Sequence, residues 1–247
     1  MDVGWTLGIA HPAGFPTYSL LAKLFYYLVP FGNIPFRANL FSAVCSVLVI
    51  YLFMKTSVLI LRNYRGREPG PIDRFCAYVP AILMGVGLYF WRTSLSAEVY
   101  SLNLLFISLV IYLLLLGVDK KDIRYIYLGS FVYGLGSGNH ATIAFLLPGL
   151  LIYFFWNWKI EKIKHFVLLI FFFLLGLSVY LYLPVRSTTN PSMDWCDPEN
   201  WRQFLYLITD RKDAGFAERI TTGGGVGFWN AVARQVRLMP PQYTFIG

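Results

Sequence analysis

Residues 100–117 read YSLNLLFISLVIYLLLLG, with no charge anywhere in the run. As a helix rising 1.5 Å per residue this stretch spans about 27 Å, close to the roughly 30 Å hydrocarbon thickness of a bilayer. Apolar runs of similar character recur near 39–61, 75–93 and 165–184. A single such run can be the buried helix of a large soluble protein. Four in one chain of 247 residues cannot all be enclosed when only 14% of residues are charged, against roughly 25% in soluble domains. The sequence therefore predicts an all-α fold, a polytopic membrane helical bundle.

Working outward from that run, basic clusters set the topology. Arg62, Arg65, Arg67 and Arg74 follow the first run, Lys120, Lys121 and Arg124 the third, and Lys159, Lys162 and Lys164 precede the last. The region 124–157 is too long for one crossing and is broken by Gly134, Gly136 and Gly138. It reads as two helices, 124–137 and 142–157, turning at Ser137-Gly138-Asn139-His140. Six crossings then place every basic loop on the cytoplasmic side, as the positive-inside rule requires, whereas five would strand the lysines at 159–164 outside. Three regions result: an external first loop, 1–38, with a short interfacial helix from Tyr18 to Val29 capped by Thr17; six transmembrane helices, 39–184; and an external amphipathic segment, 185–247. The compartment is a bacterial inner membrane or the endoplasmic reticulum, with the working face periplasmic or lumenal.

The net charge of +8 is consumed by this orientation, and no basic patch combines with stacking aromatics, so nucleic acid is excluded as a partner. Cys45, Cys76 and Cys196 form neither a disulfide framework nor a metal-binding spacing. Gly223-Gly224-Gly225-Val226-Gly227 lacks the lysine and preceding strand of a phosphate loop and reads as a connector. No cofactor and no metal are expected. The lipid bilayer is the one partner that composition alone demands. The N-terminus falls outside without a preceding helix, and a new apolar run begins at Thr244, so the reading expects a piece of a longer protein.

The same topology gathers His11, Glu98, His140 and Arg186 on the external face, with Asp194 and Asp197 beyond them. Glu98 opens a helix; it either complements the helix dipole or offers a carboxylate at a membrane-level cavity. His140 either caps the following helix or joins that cavity, and His11, in a proline-rich loop, has the same two readings. Arg186 ends the last helix among tyrosines, where it either snorkels to the interface or meets a lipid phosphate. Asp194 and Asp197 lie in an Asp-Pro turn that serves equally as structure.

Several motifs in order carry a resemblance. They are His11-Pro12-Ala13-Gly14-Phe15-Pro16 with Pro30-Phe31-Gly32-Asn33, then Ala97-Glu98-Val99-Tyr100-Ser101-Leu102-Asn103, then Gly134 to His140, and Tyr182-Leu183-Pro184-Val185-Arg186 with Asp194-Trp195-Cys196-Asp197-Pro198. Together they resemble a GT-C-type multi-spanning family that includes the vertebrate O-mannosyltransferase of plexin- and receptor-type immunoglobulin-like domains. The resemblance implies a membrane glycosyltransferase that moves a sugar, mannose in the vertebrate member, from a polyprenyl-phosphate sugar donor to an external hydroxyl of a protein or glycan acceptor. It implies Glu98, His11 and His140 as catalytic residues, Arg186 at the donor phosphate, and Tyr100, Asn103, Asn139, Asp194 and Asp197 as substrate-binding. The family's acidic D-S-G-E stretch would precede Thr6, and Asp2 stands too close to His11 to replace it, so the expectation is a chain that lacks the catalytic acid motif. A transporter or flippase of lipid-linked saccharides, or a non-catalytic membrane scaffold, are the competing classes.

Overall fold

A computed structural model describes residues 3–158 and 163–209 of the chain. Among the described residues the structure is helical, with one isolated parallel bridge between Ile9 and Asp194. Helix α1 (Val3–Thr6) is a single turn. Helix α2 (Pro16–Leu28) starts on a proline, whose missing N–H would be unpaired there in any case. Thr17 does not cap α2 as expected; its hydroxyl donates to the carbonyl of Leu135, 2.7 Å away. Helix α2 buries Tyr18, Ala22 and Tyr26 in the main core and leaves Leu24, Tyr27 and Leu28 exposed.

Helix α3 (Ile34–Arg65) begins at Asn33, whose side chain accepts from the Phe36 N–H at 2.9 Å, and ends at Gly66 in the left-handed conformation. The expected single segment 75–93 is two helices, α4 (Pro71–Val86) and α5 (Leu88–Ser94), bent by 66°. The break falls at Gly87, where two glycines in three residues weaken the helix and ψ turns to 132°. Helices α6 (Val99–Lys120) and α7 (Ile123–Ser137) follow as expected. The next segment opens as a 3₁₀ turn (Ala141–Leu146) before α8 (Leu147–Asn157), because Pro148 has no N–H for the carbonyl of Ala144. Helix α9 (Ile163–Leu177) continues through another 3₁₀ turn into α10 (Tyr182–Ser187), and α11 (Trp201–Thr209) ends the described residues. The amphipathic stretches expected at 201–220 and 228–238 are thus seen only to Thr209; the rest, with the Gly223–Gly227 run, lies outside the described residues.

Three segments are long and apolar enough to cross a membrane: Ile34–Arg65, Val99–Lys120 and Ile163–Ser187. The bent α4–α5 pair makes a fourth if it is one span. Helix α7 and the 3₁₀–α8 segment, 15 and 17 residues, fall short of that test. They nevertheless run between the same two ends as their neighbours. At one end, the Arg62 guanidinium bridges Asp119 and Glu68, and Asp73 receives both Arg65 and Arg67. His165 meets the Tyr127 hydroxyl, and Phe154 of α8 packs with Leu114 and Ile126 in the same half. At the other end, Asn139 donates to the carbonyl of Val99 at 3.1 Å, Tyr180 to that of Ser137 at 2.9 Å, and Ser101 to that of Thr93 at 3.1 Å. A basic end and a polar end result.

Glycines set how closely the helices meet. Gly134 and Gly136 do not break the segment; both lie inside α7. A Cβ on Gly134 would press on the carbonyl of Phe173 and stand 2.8 Å from the Leu177 nitrogen, and Gly176 is its reciprocal in α9. One on Gly138 would collide with Val179 and with Thr17 of α2. The second half of α7 is therefore a small-residue surface that meets α9 backbone to backbone at Gly134 and lets the side chains of Thr17 and Val179 close on Gly138.

Candidate functional site

Every residue singled out in the sequence and described here lies at the polar end, yet their surroundings differ. His140 caps the 3₁₀ turn: its Nδ1 accepts from the Thr142 N–H at 3.2 Å and stands 2.8 Å from the Thr142 hydroxyl. A nitrogen that accepts from a backbone N–H holds a lone pair, so the neutral ring carries its proton on Nε2. Burial keeps the ring neutral by pushing its pKa below the ordinary 6.5. Asn103 reinforces the arrangement, donating through Nδ2 to the same Thr142 hydroxyl at 3.0 Å.

His11 has the opposite sense. Its Nδ1 lies 2.9 Å from the carbonyl of Pro12, which can only accept, so Nδ1 carries the proton and Nε2 the lone pair. The two imidazoles flank Phe15. His11 meets that ring edge-on at 5.1 Å between centroids, and His140 stacks on it at 6.2 Å with 12° between planes. Phe15 reaches this place because its backbone adopts the left-handed conformation, φ 45°, after Gly14 at φ 79°. For a bulky residue that conformation costs about 1–2 kcal/mol.

Tyr100 packs against His140 at 5.6 Å. Glu98, two residues before it, is the exposed N-cap of α6, and its side chain makes no cap hydrogen bond. Asn103 and Asn139 are deeply buried, 8% and 1% exposed, and their Nδ2 groups tie α6 to the 137–142 turn. The Oδ1 atom of each is buried without a partner. Both asparagines frame the turn instead of lining an open surface.

Arg186 is a clamp. Its Nε donates to the carbonyl of Leu7 at 2.7 Å, one Nη to that of Thr6 at 3.2 Å and the other to the Thr189 hydroxyl at 2.9 Å. These bonds fasten the loop preceding His11 to α10. The Tyr182 hydroxyl adds a bond to Leu7 at 2.6 Å, and backbone pairing of Ile9 with Met193 and Trp195 completes the seam. Asp194 and Asp197 lie just behind it. Both approach the buried Ser187 hydroxyl, at 2.9 and 3.1 Å, and Asp194 keeps its other oxygen buried without a partner. Among the described residues no three His, Cys, Asp or Glu side chains are grouped to hold a metal ion. Sequence reasoning missed Phe15, Thr142 and Trp195; Trp195 meets His11 at 6.4 Å, and no pairwise spacing signalled it.

The protein-family model described as Protein O-mannosyl-transferase TMEM260 N-terminal domain matches residues 2–164. That range takes in His11, Glu98, Tyr100, Asn103, Asn139 and His140, while Arg186, Asp194 and Asp197 lie beyond it. Protein O-mannosyl-transferase TMEM260 of Mus musculus is 31% identical over 211 residues, 81% of this chain and 28% of its own length. Protein O-mannosyl-transferase tmem260 of Dictyostelium discoideum is 23% identical over 279 residues, 99% of this chain and 31% of its own length. The chain thus spans less than a third of either relative. No solved structure matches it significantly.

Proposed function

Since this chain belongs to the family of Protein O-mannosyl-transferase TMEM260 N-terminal domains, we propose that it supplies the membrane-embedded, outward-facing part of a protein O-mannosyltransferase with GT-C-like architecture. The donor would be a polyprenyl-phosphate mannose in the bilayer and the acceptor a serine or threonine hydroxyl on the lumenal or periplasmic side. The reading also takes residues 1–38 as an external loop, 39–184 as six crossings and 185–247 as external. The observation that supports it best is the meeting of two oppositely disposed histidines, one a free proton acceptor and one a free donor, around Phe15 at the polar end.

Transfer forms a bond from the acceptor oxygen to the anomeric carbon, breaks the bond from that carbon to phosphate oxygen, and moves the hydroxyl proton to a base. His11 offers Nε2 for such a proton, and Glu98, the exposed carboxylate two residues before Tyr100, is the second candidate base. His140 presents Nε2–H to a departing phosphate oxygen. Arg186 holds the His11 loop; two of its five N–H groups are not used in those bonds, which leaves its charge available to the phosphate. A transporter would need polar residues at mid-membrane depth, whereas the candidates here gather at one end.

The test is transfer of labelled mannose from a panel of polyprenyl phosphates to protein by membranes carrying the full-length protein. Transfer that is lost in Glu98→Ala and His140→Ala, with insertion intact, is expected. Absence of both transfer and donor binding in the unmodified protein would refute the reading.

A further inference from the structure

Where α3 gives way to α4 at the basic end, Arg62, Arg65, Arg67 and Arg74 meet Glu68, Asp73 and Asp119, and the pairing leaves one cation over. The Arg62 guanidinium holds Glu68 at 3.2 Å and also Asp119, while Asp73 takes Arg65 together with Arg67 at 3.2 Å. Arg74 enters none of these pairs. Its Nε donates to the carbonyl of Pro69 at 3.0 Å, which ties the guanidinium to the loop, and among the described residues its two Nη groups have no partner. The same side chain lines a cleft of about 520 Å³ with Pro69, Pro71, Phe75 and Tyr78. A guanidinium with a free fork, set in a cleft walled by two prolines and two aromatic rings, suits an anion that carries apolar mass beside its charge.

The order of residues along α4 says what that mass is. Pro71, Phe75 and Tyr78 recur at helical spacing, and Ile82 and Val86 carry the same face onward. Val86 lies about 22 Å along the helix from Pro71. Phe75 is 66% exposed, and Ile82 and Val86 are exposed as well. The face therefore runs from an uncompensated cation at the basic end, past aromatic rings, to bare aliphatic surface at hydrocarbon depth. A phospholipid has the same sequence of groups: a phosphate, a glycerol ester zone, then acyl chain. A free phosphate would use only the first of these surfaces, and an acidic protein segment has no use for the last.

We propose that this cleft binds one anionic phospholipid from the leaflet at the basic end, its phosphate on the Nη groups of Arg74 and one acyl chain along the Phe75, Ile82 and Val86 face of α4. The site lies at the opposite end of the bundle from His11 and His140 and takes no part in the reading of those residues. An anionic headgroup is favoured because a zwitterionic one brings its own cation against Arg74, whose charge no carboxylate offsets. The contact differs from the diffuse attraction of any basic loop for an anionic surface, which depends on net charge and not on which arginine supplies it.

The experiment titrates the full-length protein, delipidated in neutral detergent, with phosphatidylglycerol or with phosphatidylcholine of the same acyl chains, and counts retained lipids by native mass spectrometry. One phosphatidylglycerol is expected to bind about tenfold more tightly than phosphatidylcholine, and Arg74→Gln to remove that advantage. Arg74→Lys keeps the charge without the fork and should restore only part of it. Arg124→Gln removes a cation that is 85% exposed and paired with Asp122, outside the cleft, and should bind lipid as the unmodified protein does. Should Arg74→Gln fail to fold, Phe75→Ser decides the matter by the same loss. Equal loss in Arg74→Gln and Arg124→Gln would reduce the effect to net charge and overturn the site, as would unchanged retention in both Arg74→Gln and Phe75→Ser. Glycerol 3-phosphate that displaces the lipid at equal concentration would overturn the acyl-chain contact. No preference for phosphatidylglycerol in the unmodified protein would overturn the lipid altogether.

Discussion

Gly134 and Gly176 face each other where α7 crosses α9, and the contact is backbone on backbone. A methyl group on Gly134 would stand 2.8 Å from the Leu177 nitrogen and 3.1 Å from the Gly176 carbonyl carbon, where about 3.5 Å is comfortable. No rotamer change relieves this, because nothing in the way is a side chain. The helices must part by the better part of an ångström, and a gap of that size forfeits roughly a quarter to a half of each affected dispersion contact. The Ser130 hydroxyl bond to the carbonyl of Leu169, now 2.8 Å, would stretch with it. Overpacking of this kind costs about 1–3 kcal/mol, and here it should fall in the upper half of that range. Replacing glycine inside a helix returns up to about 1 kcal/mol, so the expected net loss for Gly134→Ala is about 1–2 kcal/mol. Gly149→Ala is the matched control, since its Cβ would meet nothing within 4 Å. The assay is helix loss in mixed micelles as denaturing detergent increases. Gly134→Ala should unfold early, Gly149→Ala no earlier than the parent, and Gly134→Ala/Gly176→Ala should lose less than the sum, because the first methyl already parts the helices. Coincident curves for Gly134→Ala and Gly149→Ala would refute the packing argument.

Further outcomes follow from the polar end. Burial holds the His140 pKa below 6.5, so the unfolded chain takes up a proton there before the folded one does; the stability contributed by the neutral ring is complete above pH 6.5 and declines as pH falls below it, a slope that His140→Gln should remove from the pH profile of unfolding. Ser187→Ala leaves two carboxylates facing each other without the hydroxyl between them and should cost about 1–3 kcal/mol in thermal unfolding, with Ser187→Ala/Asp194→Asn recovering part of it. Arg186→Lys keeps the charge but loses the fork on the carbonyls of Thr6 and Leu7, so limited proteolysis should cut earlier within residues 3–14; unchanged protection there would show that charge alone holds the loop.

The bundle was legible because hydropathy and charge are one-dimensional signals. The uncharged run at 100–117 marks α6, and the arginines after residue 61 mark the basic end, whatever the packing. The Gly87 bend was not legible, since two glycines near a helix centre read the same in a straight span that packs closely. The 3₁₀ start before Pro148 was legible in principle from the proline but not its extent. At the site, residue types announced His11, His140 and Glu98, because polar groups are sparse in an apolar chain. Their roles were not announced. The tautomer of each histidine depends on whether a carbonyl or an N–H lies against Nδ1, and only the fold shows that Arg186 also clamps the carbonyls of Thr6 and Leu7. Phe15 and Trp195 escaped notice because aromatic residues are common here, and only the fold sets these two against the same imidazole.

The seam joining residues 6–9 to residues 182–195 has a consequence for biosynthesis. The loop bearing His11 is made first, but the carbonyls of Leu7 and Ile9 find their partners only when Arg186 and Trp195 have emerged, after all the segments between them have been threaded into the bilayer. At about 5–20 residues per second, that leaves the loop waiting on the order of ten to forty seconds. The seam behind the His11 loop is therefore closed only after residues 186–195 have emerged, and a nascent chain stalled or misinserted at any helix in between displays that loop with nothing to close against. The seam thus closes only on a chain in which the helices between residues 9 and 186 are already in place.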